Sequence, residues 1–216
     1  MEEFPKSKLN QAQRLSKRGH YDKATVYSIV DEALICHVGF TSEGQTFVIP
    51  TIHARIDDTL YFHGAIANRM LKHIQEGNRV CVTVTLVDGI VFARSVFHHS
   101  MNYRSAMLFG KGRVVETDEE KEKVFFAITE HVAKGRWDEA RKPNAKEKNG
   151  TLVAAVEIET ASAKIRTGPP LDDEEDYALP VWAGVMPLQY QALTPERDSR
   201  LENNIALPEY IKNYER

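Results

Sequence analysis

A small antiparallel β-barrel with helices attached is the fold class this sequence predicts. Short apolar and β-branched runs recur at hairpin distance along most of the chain, and turn residues separate them. Helical spacing of apolar residues is sustained over only a few stretches. Six or seven strands with few helices and hairpin spacing imply such a barrel.

Taken in order, residues 1–19 are polar and end in Lys17-Arg18-Gly19, which reads as a surface extension. Asp22 precedes a run in which Val26, Ile29, Val30 and Ala33 recur at helical spacing. Two antiparallel strands follow, 34–40 and 45–56, around the turn Ser42-Glu43-Gly44. Pro50 lacks a backbone donor, which marks an edge position or a bulge. Asp57-Asp58 turns into a third strand, 59–64. A helix over 66–77 then places Ile66, Met70, Leu71 and Ile74 on one face, with Gly77 as its C-terminal cap.

The run 79–89 alternates and ends in Asp88-Gly89, which reads as a turn into a returning strand, 90–99. A strand over 103–116 carries Gly110 and Gly112, a sign of a bulge or bend. Thr117 to Glu120 has capping-box spacing and opens a helix to about Ala133, its apolar face carrying Val124, Phe125, Ile128 and Val132. Residues 135–150 read as polar loop and 151–168 as a long strand. The acidic run 169–180 reads as a solvated connector. A last strand, 181–193, holds Trp182.

With 216 residues, the chain is expected to be one domain, residues 1–216, with polar extensions at 1–17 and 194–216. Hydrophobic residues make up 42% and charged residues 27%, so a sizeable core forms without staples. A net charge of −3 offers no basic field, which argues against nucleic acid or a membrane surface as partner. Cys36 and Cys81 sit in apolar strand runs and form no CxxC; they read as buried free thiols of a reducing compartment. No apolar run approaches the ~20 residues of a membrane span. The opening residues have no signal-peptide core, so the expected location is cytoplasmic.

The chemistry concentrates in residues 47–78. Between a strand and a helix, His63, Gly64, Ala65, Asn68 and Arg69 form a loop that suits one phosphate, held by backbone N–H groups, a helix start and a guanidinium. His98 and His99 invite a metal reading, but adjacent strand residues face opposite sides and no third ligand stands at zinc-type spacing. Gly110-Lys111-Gly112 has no third glycine and opens no helix, so it is no dinucleotide fingerprint. Nothing resembles a Ser/His/Asp or Cys/His nucleophilic set.

Four segments, 18–40, 47–71, 93–116 and 163–188, resemble the pyridoxamine 5′-phosphate oxidase-like FMN-binding split barrels. The likeness is nearest to their nitroimidazole-resistance-type and flavin-nucleotide-binding branch. The resemblance implies a six- to seven-stranded antiparallel split barrel that binds FMN at a homodimer interface. It lays Pro50, Thr51, Ile52 and His53 along the flavin ring. His63, Gly64, Ala65, Asn68, Arg69 and Met70 fall in the family's phosphate segment; Asn68 stands where the family carries a second cation. Ser100, Tyr103, Arg104 and Ser105 fall where a strand approaches the ring, Arg104 alternatively being an interface ion-pair residue. Trp182 either reaches the partner's flavin or packs in the core or dimer contact. Lys164 and Arg166 lie beside the cofactor or edge the sheet.

The function implied is an oxidoreductase acting on a small molecule, with the flavin supplying the redox chemistry. The C-terminal Arg-x-His by which the oxidase itself holds its substrate is missing, so that particular activity is not expected. Two alternatives remain at this stage: a non-catalytic flavin binder, and a haem-binding split barrel using an axial histidine among His20, His53, His63, His98 and His99.

Overall fold

The computed structural model describes residues 2–215. In chain order its elements are β1 (Gly19–His20), α1 (Lys23–Glu32), β2 (Ile35–Ser42), β3 (Gln45–Ile52), β4 (Ala54–Ile56), β5 (Thr59–Ala65) and α2 (Arg69–Gln75). There follow β6 (Arg79–Phe92), β7 (Ser100–Val114), α3 (Asp118–Val132), α4 (Arg136–Glu139), α5 (Ala145–Asn149), β8 (Thr151–Arg166), β9 (Gly184–Pro187) and α6 (Glu209–Lys212). The strands form one antiparallel sheet in the order β3-β2-β6-β7-β8-β5-β4, with β1 on β8 and β9 on β6.

β3 and β4 stand at opposite ends of that order, yet His53 alone separates them in the chain. The sheet therefore curls until its two edges meet at His53 without pairing. That is a split barrel. Pro50 sits on the edge strand β3, where its missing donor costs no ladder bond.

Two apolar clusters hold the barrel. Val26, Ile29 and Val30 of α1 and Met70, Leu71 and Ile74 of α2 pack with Val38, Leu60, Phe62, Val82 and Leu108 from the strands. Val124, Phe125 and Ile128 of α3 cover Tyr61, Val153 and Ala155 on the other face. Asp22 caps α1, accepting from Thr25 N at 2.8 Å. Thr117 caps α3, but Glu120 pairs with Arg113 at 2.6 Å instead of closing a capping box. Gly112 is needed for docking α2: a Cβ there would sit 2.0 Å from Ile74 O.

Several expectations are corrected. Residues 79–92 form one strand, because Asp88-Gly89 is a bulge rather than a turn. Gly89 lets β9 approach, since its Cβ would lie 3.0 Å from Met186 O. The last strand shrinks to Gly184–Pro187, leaving Trp182 outside it. α2 starts three residues later than expected, so Ile66 is exposed ahead of it. The loop 135–150 holds α4 and α5, the latter with a capping box between Asn144 and Glu147.

Neither extension is loose. Asn10 is buried and donates to Ala161 O at 2.9 Å and Thr160 Oγ1 at 2.7 Å, fastening the N-terminal segment to β8. At the other end, Tyr214 donates to Val132 O at 2.9 Å, returning the C-terminal segment to α3. Cys36 is buried, which pushes its thiol up to about 12; Cys81 is half-buried. Among the described residues no helix is long and apolar enough to cross a membrane.

Candidate functional site

α2 builds the strongest anion site among the residues singled out by the sequence. The chain leaves β5 at Gly64 and Ala65, turns with Asn68 N donating to Ala65 O at 2.9 Å, and enters the helix. Asn68 is the helix N-cap: its Oδ1 accepts from Leu71 N at 3.1 Å. The residue in the place of a second cation thus has a structural duty. Arg69 follows and lays its guanidinium over the Phe47 ring, 4.7 Å from the centroid. Among the described residues it makes no ion pair with a carboxylate.

Arg69 lines a cavity of about 300 Å³ together with Ser42, Ala67, Lys72, His73 and Glu76. Sequence reasoning missed Lys72 and His73. Their signal was present, since positions 69, 72, 73 and 76 form one polar stripe at helical spacing. Lys72 supplies a second cation one turn along the helix. The His73 ring packs against Phe40 with centroids 4.8 Å apart. Met70, by contrast, is in the core, so only its backbone is available to a ligand.

His63 is drawn away from that cavity. It faces α3, edge-on to Phe125, and burial holds its pKa below the ordinary 6.5. Its Nδ1 is buried with no hydrogen-bond partner among the described residues. His53 is fully buried at the break between β3 and β4. Its Nε2 lies 3.0 Å from Val30 O and its ring 4.9 Å from that of His131. The single strand expected over 45–56 is therefore corrected: it breaks at His53, and regular alternation stops there. Arg55 turns back to Asp31, with Nε–Oδ1 at 2.9 Å, and stacks on Tyr27.

The outer face of the sheet gathers other candidates. On β3, Val48, Pro50 and Ile52 are exposed in alternation while Thr51 is half-buried. Tyr103 and Ser105 of β7 pair in register with Arg166 and Lys164 of β8. Arg104 points the opposite way and is committed: it pairs with Asp88 at 2.8 Å and with Glu32 at the end of α1. These carboxylates raise its pKa further, Glu32 most. Ser100 pairs with Val91 at the start of β7. Trp182 is 70% exposed and touches Phe92 edge-on, so it is no core residue of its own chain.

His98 and His99 diverge as expected, His98 toward Asp173 at 3.3 Å and His99 toward Ser95 O at 3.0 Å. The acidic connector instead meets His98 alone, without His99: ligand atoms of His98, Asp173 and Asp176 lie within 4.8 Å of one another. That connector is not merely a solvated loop, for Asp172 also accepts from Arg94 N at 2.8 Å.

The family model for pyridoxamine 5′-phosphate oxidase matches residues 22–165, more than half of the chain. The chain belongs to the pyridoxamine 5′-phosphate oxidase family. Among solved structures, it is similar to the flavocytochrome Anf3 from Azotobacter vinelandii, at 40% identity, with 95% of this chain and 96% of that one covered and a TM-score of 0.89. It is also similar to the FAD and haem binding protein from Mycobacterium smegmatis, at 32% identity, 90% and 96% coverage and a TM-score of 0.86. A candidate 5-nitroimidazole antibiotic resistance protein from Bacteroides thetaiotaomicron matches at 29% identity, 67% and 84% coverage and a TM-score of 0.57. No curated protein matches the chain.

By the resemblance, Asn68 stands where the family carries a second cation beside Arg69. In this member, Arg69 and Lys72 share the cavity, a turn apart on α2. The donor set fits a phosphate monoester: a guanidinium that pairs with no acid among the described residues, an ammonium and a hydroxyl from Ser42, with the Glu76 carboxylate also on the wall.

Proposed function

We propose that this protein is a flavin-binding oxidoreductase in which the Arg69–Lys72 cavity holds the flavin phosphate. The observation that carries the reading is Arg69, an arginine on a cavity wall with no carboxylate partner among the described residues. The bound flavin supplies the electron transfer. This chain's residues bind and orient it: Arg69 and Lys72 clamp the phosphate, Phe47 holds the guanidinium flat, and Val48, Pro50 and Ile52 offer an apolar strip for a ring.

FMN is the cofactor proposed, because the cavity addresses a single phosphate. FAD contains the same moiety, and a 32%-identical relative is an FAD and haem binding protein. The working unit proposed is a homodimer acting on a small molecule. Its support is the exposed apolar surface beside the sheet: Phe97 at 87%, Trp182 at 70% and Val48 at 63%. A cytoplasmic setting fits two cysteines that form no disulfide.

Haem in the same cavity is a second reading. His73 lines it beside Arg69 and Lys72, an imidazole and two cations that would suit an iron ligand and two propionates, and a 32%-identical relative is an FAD and haem binding protein. Absorption of the purified protein, with mass spectrometry of the extracted ligand, separates the readings. A flavin spectrum with extracted FMN is the expected result. FAD in the extract would correct the cofactor, and a Soret band lost in His73→Ala would move the cavity to haem. A colourless protein that ignores added flavin would overturn the function.

A further inference from the structure

A second group of cations lies at the other end of the sheet, and the fold holds it without an acid. Arg166, the last residue of β8, is only 5% exposed. Its guanidinium donates to Asn102 Oδ1, to Gly168 O at 3.3 Å and to Pro169 O at 3.2 Å, all neutral acceptors. Among the described residues it meets no carboxylate. Burial first, and then the positive charge of Arg18, lower its pKa. Lys164, two residues earlier on β8, belongs to the same face.

Arg18 is brought there by several local devices. Leu15 takes a left-handed backbone, φ 56°, uncommon for a branched side chain, and starts the turn Ser16–Arg18. Gly19 and His20 then pair with Lys164 and Ala163. Buried Asn10 pins the preceding segment to Ala161. Strain and a buried amide are thus used to set one arginine beside another.

Two neighbouring guanidiniums, one of them buried, repel each other and lack the counter-charge that burial demands. We infer that Arg18, Lys164 and Arg166 form an oxyanion site, taking a phosphate or carboxylate group. It stands apart from the Arg69 cavity. Arg79, at the α2 end of β6, and Val87, in register with Tyr103 and so with Arg166, are separated by roughly 25 Å of strand at ~3.3 Å per residue. The site is formed by this chain's own residues and does not depend on what fills the Arg69 cavity. Its oxyanion belongs either to a small substrate or to the flavin itself.

The test is calorimetric titration of inorganic phosphate and pyrophosphate into the full-length protein as purified. Wild type is compared with Arg166→Gln, with half-buried Arg18→Gln in case the first misfolds, and with exposed Lys146→Gln as a charge control. The expected result is saturable binding that weakens at least about tenfold in the arginine variants and is unchanged in the control. Flavin titrations of the stripped protein then assign the source. Weakened FAD or FMN binding in Arg18→Gln, with riboflavin unaffected, gives the site to the cofactor; unchanged flavin binding gives it to a substrate. Equal phosphate affinity in all four proteins, or no saturable binding in wild type, would overturn the inference. The same four titrations in an Arg69→Ala background silence phosphate binding at that cavity, so failure here is distinguishable from failure of the proposed function.

Discussion

Arg104 and Arg69 both belong to segments that carry the family resemblance, yet their surroundings differ. Arg104 is held between Asp88 and Glu32, carboxylates from a strand bulge and a helix end. Arg69 lies against an aromatic ring on a cavity wall, with no acid within ion-pair reach among the described residues. The fold supplies the counter-charge for the first and leaves the second to a ligand. An arginine's partner list, more than its sequence position, separates a structural cation from a binding one.

The sharpest way to break this contrast is to dislodge the helix that presents Arg69. Gly112→Ala places a Cβ against the Ile74 carbonyl, and the overlap is with backbone rather than a flexible side chain. Denaturant unfolding should show a loss of about 3 kcal/mol or more, and flavin affinity should fall with it. Arg104→Ala should cost about 1–2 kcal/mol of stability, because Asp88 and Glu32 both lose the guanidinium between them, while flavin affinity stays at the wild-type value. A large affinity loss in that variant would erase the distinction between the two arginines. Asn68→Ala removes the cap of α2 and should cost about 1 kcal/mol; Asn68→Asp should retain most of it.

The smallest effect expected is a pH dependence from His63. Burial lowers its proton affinity in the folded chain, so the unfolded chain takes up the proton more readily. Its contribution to stability is complete above the ordinary value of 6.5 and is lost as pH falls from there through the lowered folded value. Thermal unfolding between about pH 8 and about pH 5 should flatten in His63→Phe relative to wild type. Identical slopes would show that His63 gains a compensating partner on protonation.

Much of this was legible from local pattern. α1, the β2–β3 hairpin and α3 follow from apolar periodicity and turn residues, and Pro50 marked its own edge. Asp88-Gly89 misled because a bulge and a hairpin turn use the same dipeptide; only the pairing of β9 against Gly89 distinguishes them. The break at His53 within the strand expected over 45–56 was missed because alternation was carried through it. Arg104's commitment was invisible, since its acids lie 16 and 72 residues away. Lys72 was readable from helical spacing, but the expectation of adjacent cations fixed attention on Asn68. Long-range pairing, rather than local preference, accounts for the misses at Asp88-Gly89 and Arg104.

The central claim rests on Arg69, and fluorescence titration of FMN into stripped Arg69→Ala protein tests it most directly. Loss of a desolvated charge-assisted clamp predicts affinity weaker by about 2–4 kcal/mol, with the unfolding midpoint unchanged. A dissociation constant equal to wild type would contradict the account and remove the flavin phosphate from this cavity.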